Sequence, residues 1–528
     1  MSSDNSKQLN TFEIKQEISR FIKAIGKSKV LIDENEFALL DAQENKNEIV
    51  RLLIKEFKRC DDNVMSEIKI LLERYAESER LIDEMENIVT DNENSNNLKL
   101  HAIEVLSRVK KNWHQEDYQQ YLEIDEEKMY EDTKKLLENS KCNPEIQLDF
   151  LDFLATIADA DKYTLLEAMA EEQSGENLAN VLVPVFLSHT DSPIGIFALN
   201  LLKSTKSVYA YRSLSEVYDI MSENLQPVLK KCLTELKFSG ADRVFDKIHD
   251  YTKGRFSFVP PDADGSYCLF YEKKYKVGNE LKSDFFSLVT DDYKGINECI
   301  GFMEVSEFEL STFRKKLLDK DEDAQISPEF FKYLLHKSEK LTYEKSAPPY
   351  EYNCWKQLFI DIPLKDFDLN QILAESYSVK KYDLDKILDI FDEEFTSYWF
   401  YGDFNDETEK FYGTIDRIFM SPGFENTDLP ALVDNASELI LNDKERWEER
   451  LLLSAYFCTI NNKKNCAQIL YSIAKDEQNF KIFSEHIAKY SIFHYFAGFD
   501  ADEDYTKYKK DHLEKILNYL GKAWSFYV

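Results

Sequence analysis

The spacing of apolar residues is the feature that most constrains this chain. From about residue 12 to 250 they recur at intervals of three and four, as in NEIVRLLIKEFKR, VMSEIKILLERY and ENLANVLVPVFLS. This spacing is typical of amphipathic helices, because it places the apolar side chains on one helix face. Asn, Asp, Ser and Gly separate the segments, and these residues favour turns and helix caps. The sequence therefore predicts a mostly α fold.

A weak internal repeat runs through this helical region. Four segments carry a small or apolar residue and, four positions later, a Leu: AIEVL (102–106), FLDFL (150–154), ALNLL (198–202) and CLTEL (232–236). Helix pairs that recur every ~40–47 residues are typical of HEAT and armadillo units. On these segments, and on DSPIGIFALNLLKS (191–204), the chain resembles the HEAT-repeat family over roughly residues 45–250. The resemblance implies an irregular HEAT-like α-solenoid, a stack of antiparallel helix pairs, for residues 1–250.

The residue composition and the apolar pattern change between residues 251 and 305. The runs GRFSFVP, SYCLFYEKKY and SDFFSLVTDD are rich in Phe, Tyr and Val and are separated by PDADG and KVGNELK. Short runs of this composition, bounded by Gly, Asp, Asn and Pro, indicate antiparallel strands. We therefore expect a small antiparallel β insert, a meander of about three strands, with a turn at Asp264-Gly265.

Helical signals resume over residues 306–528. Ser306 and Glu309 have the spacing of a capping box, and Ser327-Pro328 combines a cap residue with proline at the first helical position. The sequence thus predicts three parts: a repeat array (1–250), a β meander (251–305) and a helical C-terminal region (306–528). This combination resembles a class of bacterial HEAT-repeat proteins without assigned function.

Charge and cysteine usage bear on partners and compartment. The chain has 99 acidic and 66 basic residues and a net charge of −33. Such a surface repels phosphate backbones and anionic lipids, so we expect neither nucleic acid nor membrane as a partner. No apolar run approaches the ~20 residues of a membrane span, and the N-terminus lacks a signal-peptide pattern. Eight scattered cysteines without a C-x-x-C motif favour a reducing cytoplasm.

Three acidic fragments resemble parts of a calcium-binding EF-hand loop. They are VPPDADGSY (259–267), DKDEDAQISPEF (319–330) and FDADEDYTKY (499–508). Such a loop needs glycine at its sixth position and a carboxylate at its twelfth. In the second fragment, whose acidic residues lie at 319–323, the sixth position is Ala324 and the twelfth is Phe330. In the third, whose acidic residues lie at 500–504, Tyr505 takes the place of the glycine. We therefore predict acidic loops at helix N-termini and no metal site.

Other candidate chemistry is sparse. His101 with Glu104, and His336 with Glu339, each place a histidine and a carboxylate on one helix face, but zinc requires three or four ligands. The acidic pairs at 171–172 and 393–394 carry little information in so acidic a chain. The sequence contains no G-x-S-x-G, no Walker A motif and no G-x-G-x-x-G, so no catalytic, cofactor-binding or metal-binding residue is predicted.

Two aromatic clusters remain, FTSYWFYGDF (395–404) and IFHYFAGF (492–499). Aromatic side chains can stack nucleic-acid bases, but base stacking needs nearby cations, and the first cluster is flanked by acidic residues. We predict that both clusters pack in a core, with a partner-docking or ligand surface as the alternative.

These features favour a cytoplasmic, non-enzymatic scaffold or adaptor that binds another protein with a basic patch. Two alternatives stay open. One is an enzyme whose site is assembled from distant residues around the β insert. The other, by analogy of fold alone, is a HEAT-like lyase or chaperone that acts on the chromophore or cofactor of another protein.

Overall fold

The fold was taken from a computed structural model, which describes most of the chain. The described residues are 9–25, 34–43, 46–60, 62–75, 79–111, 113–114, 116–122, 126–141, 143–172, 175–243, 251–262, 265–318, 322–396, 399, 412–413 and 428–498.

The N-terminal region is helical, as the apolar spacing predicts. Its helices are α1 (Thr11–Ile25), α2 (Glu34–Asp41), α3 (Lys46–Phe57), α4 (Asp62–Arg74), α5 (Glu79–Thr90), α6 (Asn96–Val109), α7 (Glu116–Gln119), α8 (Glu126–Asn139), α9 (Pro144–Thr156), α10 (Asp159–Glu172), α11 (Gly175–Ser188), α12 (Pro193–Leu202), α13 (Val208–Val217) and α14 (Gln226–Phe238). Several of them begin at side-chain caps. The Asn143 and Ser192 side chains accept hydrogen bonds from the amides of Ile146 and Gly195, with proline at the next position in each case.

The four repeat segments all lie in helices, namely α6, α9, α12 and α14. The first and last residue of each segment is buried: Ala102 and Leu106, Phe150 and Leu154, Ala198 and Leu202, Cys232 and Leu236. The recurring pattern therefore marks the buried stripe of each helix.

The sheet is larger than the sequence predicts. Five antiparallel strands pair in the order β4-β3-β2-β1-β5. The strands are β1 (Arg255–Val259), β2 (Tyr267–Val277), β3 (Glu280–Asp291), β4 (Gly295–Ser306) and β5 (Ala324–Ile326). The expectation of about three strands over 251–305 missed β4, whose sequence GINECIGFMEVS contains glycine, asparagine and glutamate that are rare in strands.

The predicted turn in VPPDADGSY joins β1 to β2. The Asp262 amide donates to the Ser266 carbonyl at 3.0 Å, and the Ser266 amide donates to the Asp262 carboxylate at 2.9 Å. Gly265 has a φ of +86°, a conformation that glycine adopts without strain. The stretch is thus a turn, and Asp262 has a structural role in it; residues 263 and 264 lie outside the described residues.

Helices follow the sheet, again as predicted. They are α15 (Glu307–Leu318), α16 (Pro328–Tyr343), α17 (Tyr350–Trp355), α18 (Leu369–Ala374), α19 (Leu384–Leu388), α20 (Leu429–Asn442), α21 (Lys444–Ile460), α22 (Lys464–Lys475) and α23 (Glu477–Gly498). The capping box is confirmed: the Ser306 amide donates to Glu309 at 2.9 Å, and the Glu309 amide donates to the Ser306 hydroxyl at 3.3 Å. Ser327 caps α16 by accepting from the Phe330 amide.

The buried apolar residues form three large cores and a small one. The first core spans Ile14 to Tyr118, and the second spans Leu137 to Ala241 but also takes in Cys354 and Ile360. The third joins one sheet face to α16, α17 and the C-terminal helices. On the other sheet face, α15 covers Phe270 and Phe285. The sheet is therefore a middle layer, and α17 contributes to two cores at once.

Helix α11 shows how closely the N-terminal and C-terminal regions are joined. Its residues from Leu178 to Leu187 are all buried. The helix contacts α8, α9, α10, α12, α13 and, from beyond the sheet, α17. A helix that is apolar all round requires neighbours on every side, and α17 supplies one of them.

No helix in the described part of the chain is long and apolar enough to cross a membrane.

Candidate functional site: an acidic face beside a buried polar seam

A polar seam joins the N-terminal helices to the segment that follows the sheet. We use this term for the hydrogen-bonded pairs between α9, α11 and α13 on one side and residues 343–361 with α16 on the other. Side chains pair across it as Arg212–Asp361 (2.7 Å), Gln147–Gln357 (3.0 Å), Ser188–Asn353 (2.8 Å) and Asp152–Tyr350 (3.0 Å). The Gln147–Gln357 pair is buried, two of the others are partly buried and the Asp152–Tyr350 pair is exposed; directional pairs of this kind favour one docking geometry between the two regions.

Two lysines are buried in the seam. Lys332 is 5% exposed and donates to Glu216 at 2.7 Å, while Lys356 is 8% exposed and pairs with Glu339. Burial raises the pKa of Glu216, and the charge of Lys332 opposes that rise. Buried charges require partners, so these four residues are mutually dependent.

Acidic side chains gather beside the seam. The group comprises Glu104 of α6, Glu145, Asp149 and Asp152 of α9, Glu351 of α17 and Glu298 of β4, and we call it the acidic face. Glu145 accepts a hydrogen bond from the Met303 amide of β4 at 2.9 Å, and Asp152 accepts from Tyr350 of α17. These contacts bring α9, α17 and β4 together at one surface.

Electrostatic effects place these carboxylates in two groups, one around Asp149 and one around the Cys299 thiol. Desolvation raises the pKa of Asp149, and the charges of Asp152, Glu145 and Glu104 raise it further. Burial raises the pKa of the Cys299 thiol, and the negative charges of Glu351 and Glu298 raise it further. In the part of the chain that the structure describes, Asp149, Asp152, Glu298 and Glu351 form no ion pair with a basic side chain. The acidic face thus carries uncompensated negative charge.

The raised pKa of Asp149 leads to a stability prediction. The folded state binds a proton at Asp149 more tightly than the unfolded chain does, so its ionised form destabilises the fold at neutral pH. We expect Asp149→Asn to raise the melting temperature at pH 7. The gain should fade as the pH falls through the raised pKa of the folded state and be absent below ~3.9, the pKa of an unperturbed aspartate, because the carboxyl is then protonated in both states. Calorimetry over a pH series measures this; Asp434→Asn, at an exposed position on α20, is the matched control, and a loss of stability at pH 7 contradicts the account.

The acidic fragment at 319–330 is not a calcium loop in its described part. Asp323 accepts hydrogen bonds from Arg255 at 2.8 Å, Arg314 at 2.8 Å and the Ser257 hydroxyl at 2.6 Å. Residues 324–326 form β5, and residues 319–321 lie outside the described residues. Two guanidinium groups occupy the oxygens that a cation would need. The fragment at 499–508 also lies outside the described residues.

We therefore expect calcium to leave the protein's stability unchanged. A ligand stabilises a fold by RT ln(1 + [L]/Kd), which is small where no site binds tightly. Melting curves with and without millimolar calcium, with magnesium as the control for ionic strength, measure this. An increase of several degrees that is specific to calcium and is lost in Asp500→Ala would contradict it.

The two histidine–carboxylate pairs have structural partners. Burial raises the pKa of Glu104, but hydrogen bonds from His101 and Lys69 outweigh it and bring the value to about 2. Glu339 pairs with Lys356, and burial lowers the pKa of His336. Among the described residues, no group of three or more His, Cys, Asp or Glu side chains has the arrangement of a metal site.

The aromatic clusters lie in the core wherever the structure describes their side chains. Trp399 is fully buried against Phe395, Trp447 and Phe483, and its indole N–H donates to the Pro261 carbonyl at 3.2 Å. Ile492 of the second cluster is buried. The remaining side chains of both clusters lie outside the described residues, so their packing stays a prediction.

Sequence patterns missed a polar group at the bulge between β3 and β4. The buried Asp284 accepts hydrogen bonds from Tyr251 (3.2 Å), Tyr275 (2.6 Å) and the Glu304 amide (3.1 Å). Glu304 adopts a φ of +57°, which is rare for a residue other than glycine. The bulge brings Glu304 to Asp284, and the pairing of β2 with β3 brings Tyr275, so no local motif could have indicated the group.

No family model matches this chain, and the searches of curated proteins and of solved structures also find no match. The assignment of function therefore rests on the geometry and charge described above.

Proposed function

We propose that this protein is a cytoplasmic, non-enzymatic scaffold that binds another protein through the acidic face. The observation that carries the proposal is the cluster of carboxylates from α6, α9, α17 and β4. Four of them are without an ion pair in the described part of the chain, and the charges of Asp152, Glu145 and Glu104 add to the desolvation that raises the pKa of Asp149. A partner with a basic patch would relieve this repulsion on binding, and the net charge of −33 would accelerate its approach.

The architecture we propose for the scaffold is an irregular HEAT-like solenoid over the N-terminal helices. Supporting it, consecutive helices pack as neighbours in the pairs α3–α4, α5–α6, α11–α12 and α13–α14. Stacked pairs of this kind offer a long continuous surface. Part of that surface, on α9 and α11, is covered by α17 of the same chain, so the partner would dock on the exposed acidic side chains of α9 and on α17 and β4 beside them.

The free cysteines are consistent with a reducing compartment. All seven described cysteines are free thiols. Burial raises the pKa of several, including Cys232 and Cys354, so they favour the unreactive thiol form.

An enzyme built around the sheet is the second possibility. The groups that could serve it are Asp284 with its two tyrosines and the network of Arg255, Arg314 and Asp323. Each of these charged groups is hydrogen-bonded to another protein group, as expected of structural networks. Their geometry therefore favours a role in holding the bulge and β5 in place.

Affinity purification of the full-length chain from its native host tests the proposed function. The wild type is compared with Asp149→Lys/Asp152→Lys, which reverses two exposed charges on α9. Asp434→Lys/Glu438→Lys reverses two exposed charges on α20 as the matched control. We expect the wild type and the control to retain a basic protein that is released by salt, and the α9 variant to lose it. Retention of the same proteins by the wild type and both variants, or recovery of nucleic acid, would overturn the proposal.

A further inference from the structure

The outer edge of β4 indicates how the proposed partner would contact this protein. β4 lies at one end of the sheet and pairs only with β3 among the described strands. Its middle residues, from Asn297 to Phe302, are exposed or half-buried, whereas the part of β3 from Ser283 to Leu288 is buried. An edge strand with accessible backbone groups is a template for pairing with another chain.

The register identifies which backbone groups face outwards. The Ile296 amide donates to the Thr342 hydroxyl at 2.8 Å, and the Met303 amide donates to Glu145 at 2.9 Å, so neither points to β3. Backbone direction alternates along an antiparallel strand. Counted back from Met303, the amides of Phe302, Ile300 and Glu298 face β3, and those of Gly301 and Cys299 face outwards. The extra β4 residue at the bulge opposite Val289 and Thr290 returns the Ile296 amide to the outward side.

Side chains close the edge at both ends and leave its middle open. Thr342 of α16 occupies one end and Glu145 of α9 the other. Between them, Cys299 and Gly301 have no hydrogen bond on the outward side within the described residues. A segment of about six residues would fit this stretch as a further strand.

The open stretch lies within the acidic face. Glu298 is on the strand itself, and Glu145 accepts the hydrogen bond of the Met303 amide at one end. The charge of Glu351, on α17, raises the pKa of the Cys299 thiol. A strand added here would have carboxylates beside it at several positions. Lysine and arginine side chains would pair with them, whereas acidic side chains would be repelled.

We infer that the partner presents an extended segment rich in lysine or arginine, which adds to β4 as a sixth strand. This inference rests on the proposed function and deepens it, because it names the form of the partner's contact. Backbone hydrogen bonds from Cys299 and Gly301 hold the segment, and the acidic face selects its charge.

A pair of peptides and a pair of variants test the inference with the full-length chain. The probe is a fluorescein-labelled ten-residue peptide of alternating lysine and threonine. Its analogue is N-methylated at every backbone amide, which keeps the charge but removes the donors. Cys299→Pro removes one outward amide without removing a hydrogen bond to β3. Cys299→Ala is the matched control that keeps the amide.

We expect the unmethylated peptide to bind, with affinity lowered at least tenfold by N-methylation and by Cys299→Pro but not by Cys299→Ala. Hydrogen exchange at the Cys299 and Gly301 amides should slow when the peptide binds, a reading that does not depend on how well the proline variant folds. Equal binding of both peptides, or binding of neither, overturns the inference. If the host partner is still retained by the wild type and lost by the α9 variant, the proposed function stands while the strand addition fails.

Discussion

Replacing Lys356 by Met should lower the free energy of unfolding by ~3–5 kcal/mol, because it leaves the carboxylate of Glu339 buried without its partner. Glu339 of α16 is 4% exposed, so water cannot replace the lost ammonium group of Lys356. Denaturant titration followed by tryptophan fluorescence measures the loss, with Trp355 beside the altered residue as a local reporter.

The double variant Glu339→Leu/Lys356→Met separates the cost of an unpaired charge from the value of the pair. Apolar replacement of a whole buried ion pair is often neutral or stabilising, so the double variant should recover most of the loss. Lys386→Met, which removes an exposed partner of Asp389, is the surface control and should cost much less than Lys356→Met, because solvent screens an exposed ion pair. If the double variant were as unstable as Lys356→Met, the loss would come from packing and the role given to the charges would be wrong.

Trp355→Ala should have an effect of similar size, ~3–5 kcal/mol, because it empties the space of a large buried side chain. Trp355 is 1% exposed and packs over Gly301 of β4, where an added Cβ would lie 2.1 Å from the indole Cε2. Its neighbour Cys354 belongs to the second core. The substitution should therefore loosen the sheet from the N-terminal helices, which calorimetry would show as two separated transitions.

Gly301→Ala provides the matched test of this contact. Alone, it should destabilise the protein because the methyl group meets the indole ring. Combined with Trp355→Ala, it should cost less than the sum of the two single changes, since the methyl group then enters the cavity. Additive losses would mean that Gly301 and Trp355 do not share the contact.

The parts of the fold that sequence predicts are those set by neighbouring residues. Ser306 and Glu309, or Ser327 and Pro328, fix helix starts through contacts within one turn, so their sequence alone indicates them. The buried stripe that contains Ala198 and Leu202 follows from helical periodicity in the same way.

The parts that sequence misses depend on distant residues. β4 contains Gly301, an unfavourable strand residue, because Trp355 packs against it from α17. The sequence around Asp323 resembles a calcium loop, but in the fold its carboxylate binds Arg255, which is 68 residues away in the chain. Composition indicates a strong negative charge, but only the packing of α6, α9 and α17 places Glu104, Asp149 and Glu351 on one surface.

The most direct test of the central claim is hydrogen exchange of the full-length chain, measured alone and in complex with the basic protein that it retains. If the acidic face holds the partner, exchange should slow in α9 (Pro144–Thr156) and around Cys299 and Gly301 of β4, and α20 (Leu429–Asn442) should be unchanged. Protection confined to α20 or the other C-terminal helices, with α9 and β4 unaffected, would contradict the account.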